Sequence, residues 1–145
     1  MTDCYIYIEQ NYKIAYQNYL GIDDIQQCVI KENMIEYGDM QFENKGNWCL
    51  ITTISDENYA LEILLQMNSG NKLIYFYTDD SNMDSEFIIL KNNTIFRKFL
   101  YYWDTPELNE DFGKLSIEKK LPLKEWNDVD LLLEIAEQSP DLLFD

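Results

Sequence analysis

The chain has 145 residues but no histidine, and its only arginine is Arg97. Histidine is the side chain that most often serves as a general base near neutral pH and as a metal ligand. Without it, Cys–His and Ser–His–Asp nucleophilic arrangements are excluded. A single arginine poorly supplies phosphate binding, and the GxSxG, GxGxxG and GxxxxGK[ST] motifs are also missing. We therefore expect no enzymatic activity and no cofactor.

Cysteines and long apolar runs are equally scarce. The three cysteines are odd in number and show no CxxC spacing, so we expect buried, reduced thiols. No apolar run approaches the ~18 residues that cross a bilayer. The N-terminal segment lacks a basic region followed by an apolar one, so it does not resemble a signal peptide. These features predict a cytoplasmic protein that does not span a membrane.

The chain also has few positively charged residues. Aspartate and glutamate total 27 against 11 lysines and arginines, which gives a net charge of −16. Small soluble domains usually carry a net charge with a magnitude of about 2–8. A surface this acidic repels nucleic acid and anionic membranes and accelerates encounters with basic partners. We expect a basic protein partner; the alternative is that the charge serves solubility alone.

The apolar content is that of a folding sequence, with 46% hydrophobic and 14% aromatic residues. The length and the lack of linkers or repeats predict a single domain over residues 1–145. Runs rich in β-branched and aromatic residues predict strands. They lie at 3–9, 33–43, 48–54, 72–78, 86–90, 94–103 and, more weakly, 114–118. We predict an α+β fold with a mostly antiparallel sheet of five or six strands, packed by two or three helices.

Two helices are predicted from apolar spacing and end signals. One spans 56–68 and is capped by Ser55; the other spans 128–138 and is capped by Asn127. Residues 11–30 are ambiguous but contain helical spacing from Tyr12, which predicts a further helix near the N-terminus. Aromatic residues on both sides of 94–103 predict a central strand, with Ile95 and Arg97 on the same face. Residues 104–113 are interpreted as an acidic loop.

The stretch TDDSNMDSEF (78–87) partly resembles a calcium loop. Asp80, Asn82 and Asp84 occupy the first three ligand positions of an EF-hand. The sixth position is Ser85 instead of glycine, and the twelfth is Lys91 instead of glutamate. The segment that follows has the pattern of a strand, whereas an EF-hand requires a helix. We therefore predict no metal site.

The same stretch is better explained as part of a docking surface. If strands 72–78, 86–90 and 94–103 form a meander, residues 79 and 104 leave the sheet at one edge. Carboxylates would then surround two apolar anchors there, an arrangement suited to a basic partner. The predicted partner-binding residues are Asp79, Asp80, Met83, Asp84, Glu86, Trp103, Asp104, Glu107, Glu110 and Asp111. The alternative is that these segments are hydrated turns. The acidic residues of the C-terminal helix form either a solvated face or an extension of the docking surface.

The layout of residues 47–138 resembles that of bacterial toxin-immunity proteins, including those of contact-dependent growth inhibition. A buried strand is followed by SDENYALEILL, then LIYFYTDD, the FIILKNNTIFRKFLYYW hairpin and the KEWNDVDLLLEIAEQ helix. The resemblance is one of pattern, and it transfers no individual site residues. It implies a cytosolic protein that binds the toxic domain of a cognate toxin. From the charge, we expect that domain to be a basic nuclease.

Two other functions fit parts of the sequence. A nucleic-acid mimic that inhibits a host or phage-defence enzyme would use the same acidic surface. A weak metal-dependent hydrolase would use paired carboxylates. With 27 acidic residues, some pair always has suitable spacing, so that signal has little specificity.

Overall fold

The computed structural model describes residues 2–20, 29–38, 40–53 and 70–145. Within these ranges the chain forms nine strands and two α-helices. The strands are β1 (Thr2–Ile8), β2 (Val29–Lys31), β3 (Met34–Tyr37), β4 (Met40–Lys45), β5 (Trp48–Thr53), β6 (Leu73–Asp79), β7 (Asp84–Lys91), β8 (Thr94–Tyr101) and β9 (Glu110–Phe112). The helices are α1 (Tyr12–Leu20) and α2 (Val129–Gln138).

The strands form one antiparallel sheet in the order β2-β3-β4-β5-β1-β6-β7-β8-β9. The first strand lies in the middle, where Cys4 is opposite both Thr53 and Tyr77. Two meanders, β2 to β5 and β6 to β9, extend from β1 in opposite directions. The predicted α+β class and antiparallel sheet are therefore confirmed, but the sheet has more strands than the predicted five or six.

The additional strands have local causes. The segment 33–43, predicted as one strand, is two strands separated by a turn that contains Gly38 at φ 59°. The edge strands β2 and β9 have only three residues each, and all six are exposed. Strands without a buried face lack the alternating pattern by which a strand is recognised in a sequence.

Both faces of the sheet carry apolar side chains. On the first face, Ala15 and Tyr16 of α1 are buried, and Tyr16 meets Phe42 edge-on at 5.4 Å between ring centroids. On the second face, α2 buries Val129, Leu132 and Ala136 with the aromatic side chains of β6 and β7. Because both faces are covered, β6 is an almost continuous run of buried residues.

A β-bulge breaks the expected alternation of β8. The register between β7 and β8 shifts at Ile89 and Leu90, so Ile95 packs on the first face. Phe96 stacks on Phe144, whose contacts are on the second face, at 6.1 Å. The prediction that Ile95 and Arg97 share a face is therefore wrong, because the bulge adds one residue on β8. β8 is an interior strand, and its outer neighbour is the short β9.

The predicted strand at 114–118 is wrong, since Ser116–Lys119 form a 3₁₀ helix. The Glu118 side chain stabilises this 3₁₀ helix. Its carboxylate accepts hydrogen bonds from the Leu115 N–H at 2.7 Å and from Arg97 on β8. The predicted acidic loop at 104–113 is also more ordered than expected, because it contains a 3₁₀ turn, Pro106–Leu108, followed by β9.

The predicted cap Asn127 is wrong as well. A 3₁₀ turn, Trp126–Asp128, precedes α2, and Asp128 closes it. The Asp128 carboxylate accepts hydrogen bonds from the N–H groups of Lys124 and Glu125 at 2.7 and 2.8 Å. The predicted end of α2 is confirmed at Ser139, and the 3₁₀ segment Pro140–Phe144 follows it.

Other predictions concern the N-terminal half. The predicted helix near the N-terminus is confirmed as α1, whereas the helix at 56–68 and its Ser55 cap lie outside the described residues. Cys4 and Cys49 are buried free thiols, and burial raises the pKa of each to about 12. Among the described helices, none is long and apolar enough to cross a membrane.

Candidate functional site

Four strand termini meet at one end of the sheet. Thr2 at the start of β1 lies opposite Asp79 at the end of β6, and Asp79 lies opposite Asp84 at the start of β7. The end of β8 is adjacent, because Ser85 pairs with Tyr101. The predicted meander is therefore confirmed. We call this sheet end the acidic rim and define it by Asp79, Asp80, Met83, Asp84, Trp103 and Asp104.

The β6–β7 turn is organised by Asp79. This residue is only 7% exposed, and its carboxylate accepts hydrogen bonds from the Ser81 N–H at 3.0 Å and the Asn82 side-chain amide at 2.7 Å. The turn places Met83 at φ 55° with its side chain 42% exposed. Asp79 therefore shapes the turn, whereas Asp80 and Met83 lie on the surface. No group of three metal-ligating side chains forms among the described residues.

Trp103 follows β8 and is the most exposed tryptophan that the structure describes, at 59%. Its backbone is nevertheless fixed. The Trp103 N–H donates to Asp84 at 3.3 Å, and the preceding N–H of Tyr102 donates to Asn109 at 2.7 Å. An exposed indole on a held backbone loses little conformational entropy when a partner covers it.

Like charges accumulate at the rim. Burial, and then the neighbouring charges of Asp79, Asp104 and Glu86, raise the pKa of Asp84, although the Trp103 N–H opposes the shift. A raised carboxyl pKa means that the local environment disfavours the negative charge. A basic group placed against the rim would relieve this repulsion.

The acidic surface continues onto α2. Burial, and then the charges of Asp3 and Glu134, raise the pKa of Asp130 in the first turn of α2. Asp3 belongs to β1 and lies opposite Thr78, next to the rim. Asp3 and Asp130 thus join the rim to the helix. No sequence pattern connects Asp3 with Asp130, because their proximity depends on the long-range register of β1 with β6.

Lysines compensate carboxylates elsewhere in the molecule. Within the described part of the chain, ion pairs join Lys31 to Glu36, Lys45 to Glu43, Lys98 to Glu110, and Lys114 to Asp111. No described lysine or arginine forms an ion pair with Asp3, Asp84, Asp104 or Asp130. Asp84 and Asp104 of the rim, with Asp3 and Asp130 beside it, therefore carry negative charge that no described lysine or arginine pairs.

Besides Asp79, which is buried and shapes the β6–β7 turn, four of the predicted partner-binding residues lie apart from the rim or have internal roles. Glu86 accepts hydrogen bonds from the hydroxyls of Tyr75, at 2.8 Å, and Tyr102. Asp111 accepts from Arg97 at 2.7 Å, Glu110 pairs with Lys98, and Glu107 is exposed on the 3₁₀ turn beyond the rim. These pairings involve residues distant in sequence, so a count of acidic residues could not reveal them.

Comparison of the chain with protein family models, curated proteins and solved structures gives no match. The rim combines Asp84 and Asp104, which form no ion pair with a described lysine or arginine, with two exposed apolar side chains, Met83 and Trp103. This combination suits binding to a basic protein surface.

Proposed function

We propose that this chain is an acidic immunity protein that binds and neutralises a cognate bacterial toxin domain, a basic nuclease. It does so by covering the active-site cleft or the substrate-binding face of the toxin. One observation carries the proposal: Trp103 and Met83, 59% and 42% exposed, lie at the same sheet end as Asp84 and Asp104, which form no ion pair with a lysine or arginine of the described residues. A nuclease that binds nucleic acid presents positive charge, which is the complement of this surface.

The carboxylates and the apolar anchors have different roles. Rim charges attract a basic partner over distance and raise the association rate, with a strong dependence on salt. Exposed aromatic side chains that become buried at the centre of an interface mostly determine how slowly the complex dissociates. Asp84 accepts a hydrogen bond from the Trp103 N–H, so a rim carboxylate and an apolar anchor lie next to each other in the structure.

The first test is affinity capture of the tagged protein from lysate of its native cells, at low and high salt, with mass identification of what binds. Capture of one basic toxin domain supports the proposal. Capture of a host nuclease or polymerase instead supports the mimic of nucleic acid, which would use the same carboxylates. Capture of neither class at either salt concentration contradicts both functions in cells that express the toxin.

The second test uses charge reversal at matched positions. Asp80→Lys with Asp104→Lys changes the rim, and Glu32→Lys with Asp145→Lys makes the same charge change at exposed positions away from it. We expect the rim variant to slow association with the captured domain by about tenfold or more at low salt, since steering depends on local charge. Equal rates for the two variants would exclude the rim as the interface.

The third test separates binding from folding at Met83. Glycine adopts φ 55° without strain, and Met83 is 42% exposed, so Met83→Gly keeps or slightly raises stability. If Met83 is an anchor, the same change accelerates dissociation of the complex several-fold. Unchanged dissociation in a folded Met83→Gly protein, measured by surface plasmon resonance, would remove Met83 from the interface.

A further inference from the structure

A cavity of about 310 Å³ lies on the second face of the sheet, at the end opposite the acidic rim. The C-terminal end of α2 forms one wall, and the β4–β5 turn forms the other. Tyr7, Lys45, Trp48, Glu137 and Asp141 are among the residues that line it. Its volume is at the lower limit of the range for small-molecule sites.

The side chain of Tyr7 lines this cavity. Tyr7 is only 2% exposed, and its ring packs edge-on against Phe76 at 6.4 Å. Among the described residues, no hydrogen bond reaches the Tyr7 hydroxyl. Burial, and then the charge of Glu137, raise the pKa of Tyr7 to about 12, so the hydroxyl is neutral at physiological pH. A molecule bound in the cavity can therefore donate a hydrogen bond to the Tyr7 hydroxyl oxygen.

The walls of the cavity favour positive charge. The last turn of α2 contains no basic residue, so the partial negative charge of the helix C-terminus is uncompensated there. Glu137 and Asp141 contribute two carboxylates, and the Trp48 indole N–H donates to Asp141 at 3.3 Å. Lys45 also lines the cavity, and it pairs with Glu43 at 3.2 Å, which offsets its charge.

We propose that this cavity binds a small organic cation, a primary alkylammonium or guanidinium group. The cationic head lies between the carboxylates of Glu137 and Asp141 and donates a hydrogen bond to the Tyr7 hydroxyl. The apolar stem packs against Trp48. This site is separate from the acidic rim, so its test and the tests of the proposed function succeed or fail independently.

The experiment is a ¹H–¹⁵N NMR titration of the whole chain with n-butylammonium chloride. Butan-1-ol serves as the uncharged control and sodium chloride as the ionic-strength control. The Trp48 indole signal reports on the cavity, and the Trp103 indole signal reports on the acidic rim. We expect saturable shifts at Trp48 with butylammonium alone. No saturation at Trp48, equal shifts with butan-1-ol, or equal shifts at both tryptophans would overturn the proposal.

Three conservative variants locate the contacts. Tyr7→Phe keeps the ring that packs on Phe76, and Glu137→Gln changes an exposed helix position, so both are expected to fold. Each should weaken butylammonium binding at least fivefold, while Glu134→Gln, about one turn earlier on the exposed surface of α2, should leave it unchanged. An equal loss in Glu134→Gln and Glu137→Gln would show general charge attraction and overturn the site.

The same titration identifies the source of the cation. N-acetyl-lysine methylamide carries the alkylammonium group on a peptide backbone. If it shifts Trp48 as butylammonium does, the site accepts a lysine side chain from another protein. If only butylammonium binds, the site is too enclosed for a peptide and takes a free amine.

Discussion

Removal of the single arginine tests the reasoning about the core most severely. Arg97 is fully buried on β8, and its guanidinium donates to both carboxylate oxygens of Glu118 at 2.8 Å. It also donates to Asp111 and to the backbone carbonyls of Lys98 and Phe112. Arg97 thereby ties β9 and the Ser116–Lys119 turn to the sheet. The change Arg97→Met keeps an apolar side chain of similar length but removes every one of these bonds.

The size of the effect follows from burial. The Glu118 side chain is 4% exposed, so Arg97→Met leaves a carboxylate that is buried without its cation. Breaking such a pair costs about 3–5 kcal/mol. With a urea dependence of about 2 kcal/mol/M, the unfolding midpoint should fall by roughly 2 M. Urea unfolding followed by tryptophan fluorescence measures the shift.

Two further variants decide whether the unpaired carboxylate is the cause. Adding Glu118→Met to Arg97→Met removes the orphaned charge, so the double variant should be more stable than the single one. A deficit of about 1 kcal/mol remains, because the Leu115 N–H loses its acceptor. Lys98→Met, the neighbouring control, breaks a partly exposed ion pair with Glu110 and should cost about 1 kcal/mol or less. If Arg97→Met lies within about 1 kcal/mol of the parent, or the double variant is no more stable than Arg97→Met, the reasoning is refuted.

Two more predictions concern a glycine and a helix carboxylate. A Cβ on Gly113, at φ 77°, would lie 2.6 Å from the Phe96 carbonyl oxygen, so Gly113→Ala should cost about 3 kcal/mol in urea unfolding. Gly46 has φ 72° and open space around it, so Gly46→Ala should cost only about 1 kcal/mol. Equal urea midpoints for the two variants would contradict the close contact between a Cβ at residue 113 and the Phe96 carbonyl oxygen. The folded-state pKa of Asp130 is raised above its ordinary value of 3.8, so the folded state favours the protonated form and loses stability as the pH rises through that pKa. Asp130→Asn should therefore be more stable than the parent at pH 7 by about 0.5 kcal/mol and no more stable at pH 3; the same difference at both pH values would contradict this.

Elements with a buried face were predictable from the sequence. The spacing of Val129, Leu132 and Ala136 predicted α2, and apolar runs predicted β6, β7 and β8. The edge strands β2 and β9 were missed, because backbone pairing with a neighbour holds them and burial does not. The bulge at Phe96 was missed because one additional residue leaves no periodic signal.

The candidate site was predictable only where it depends on local chain direction. A meander brings Asp79, Asp84 and Asp104 to one end of the sheet, and the structure has that meander. The contributions of Asp3 and Asp130 depend on β1 pairing with β6 and on where α2 packs. Such contacts between distant residues cannot be read from spacing. For the same reason, the internal partners of Glu86 and Asp111 appeared only in the structure.

The central position of β1 has a consequence for how the chain folds. Within each meander the paired strands follow one another in the chain, so a segment such as β6–β7–β8 can pair before distant parts of the chain are available. Cys4, by contrast, must find Thr53 and Tyr77, which are far along the chain. During synthesis one edge of β1 therefore stays unpaired until β5 has emerged, and the other edge until β6 has emerged. Closing the sheet around β1 is the non-local step, and it should limit the rate at which the two halves become one cooperative unit.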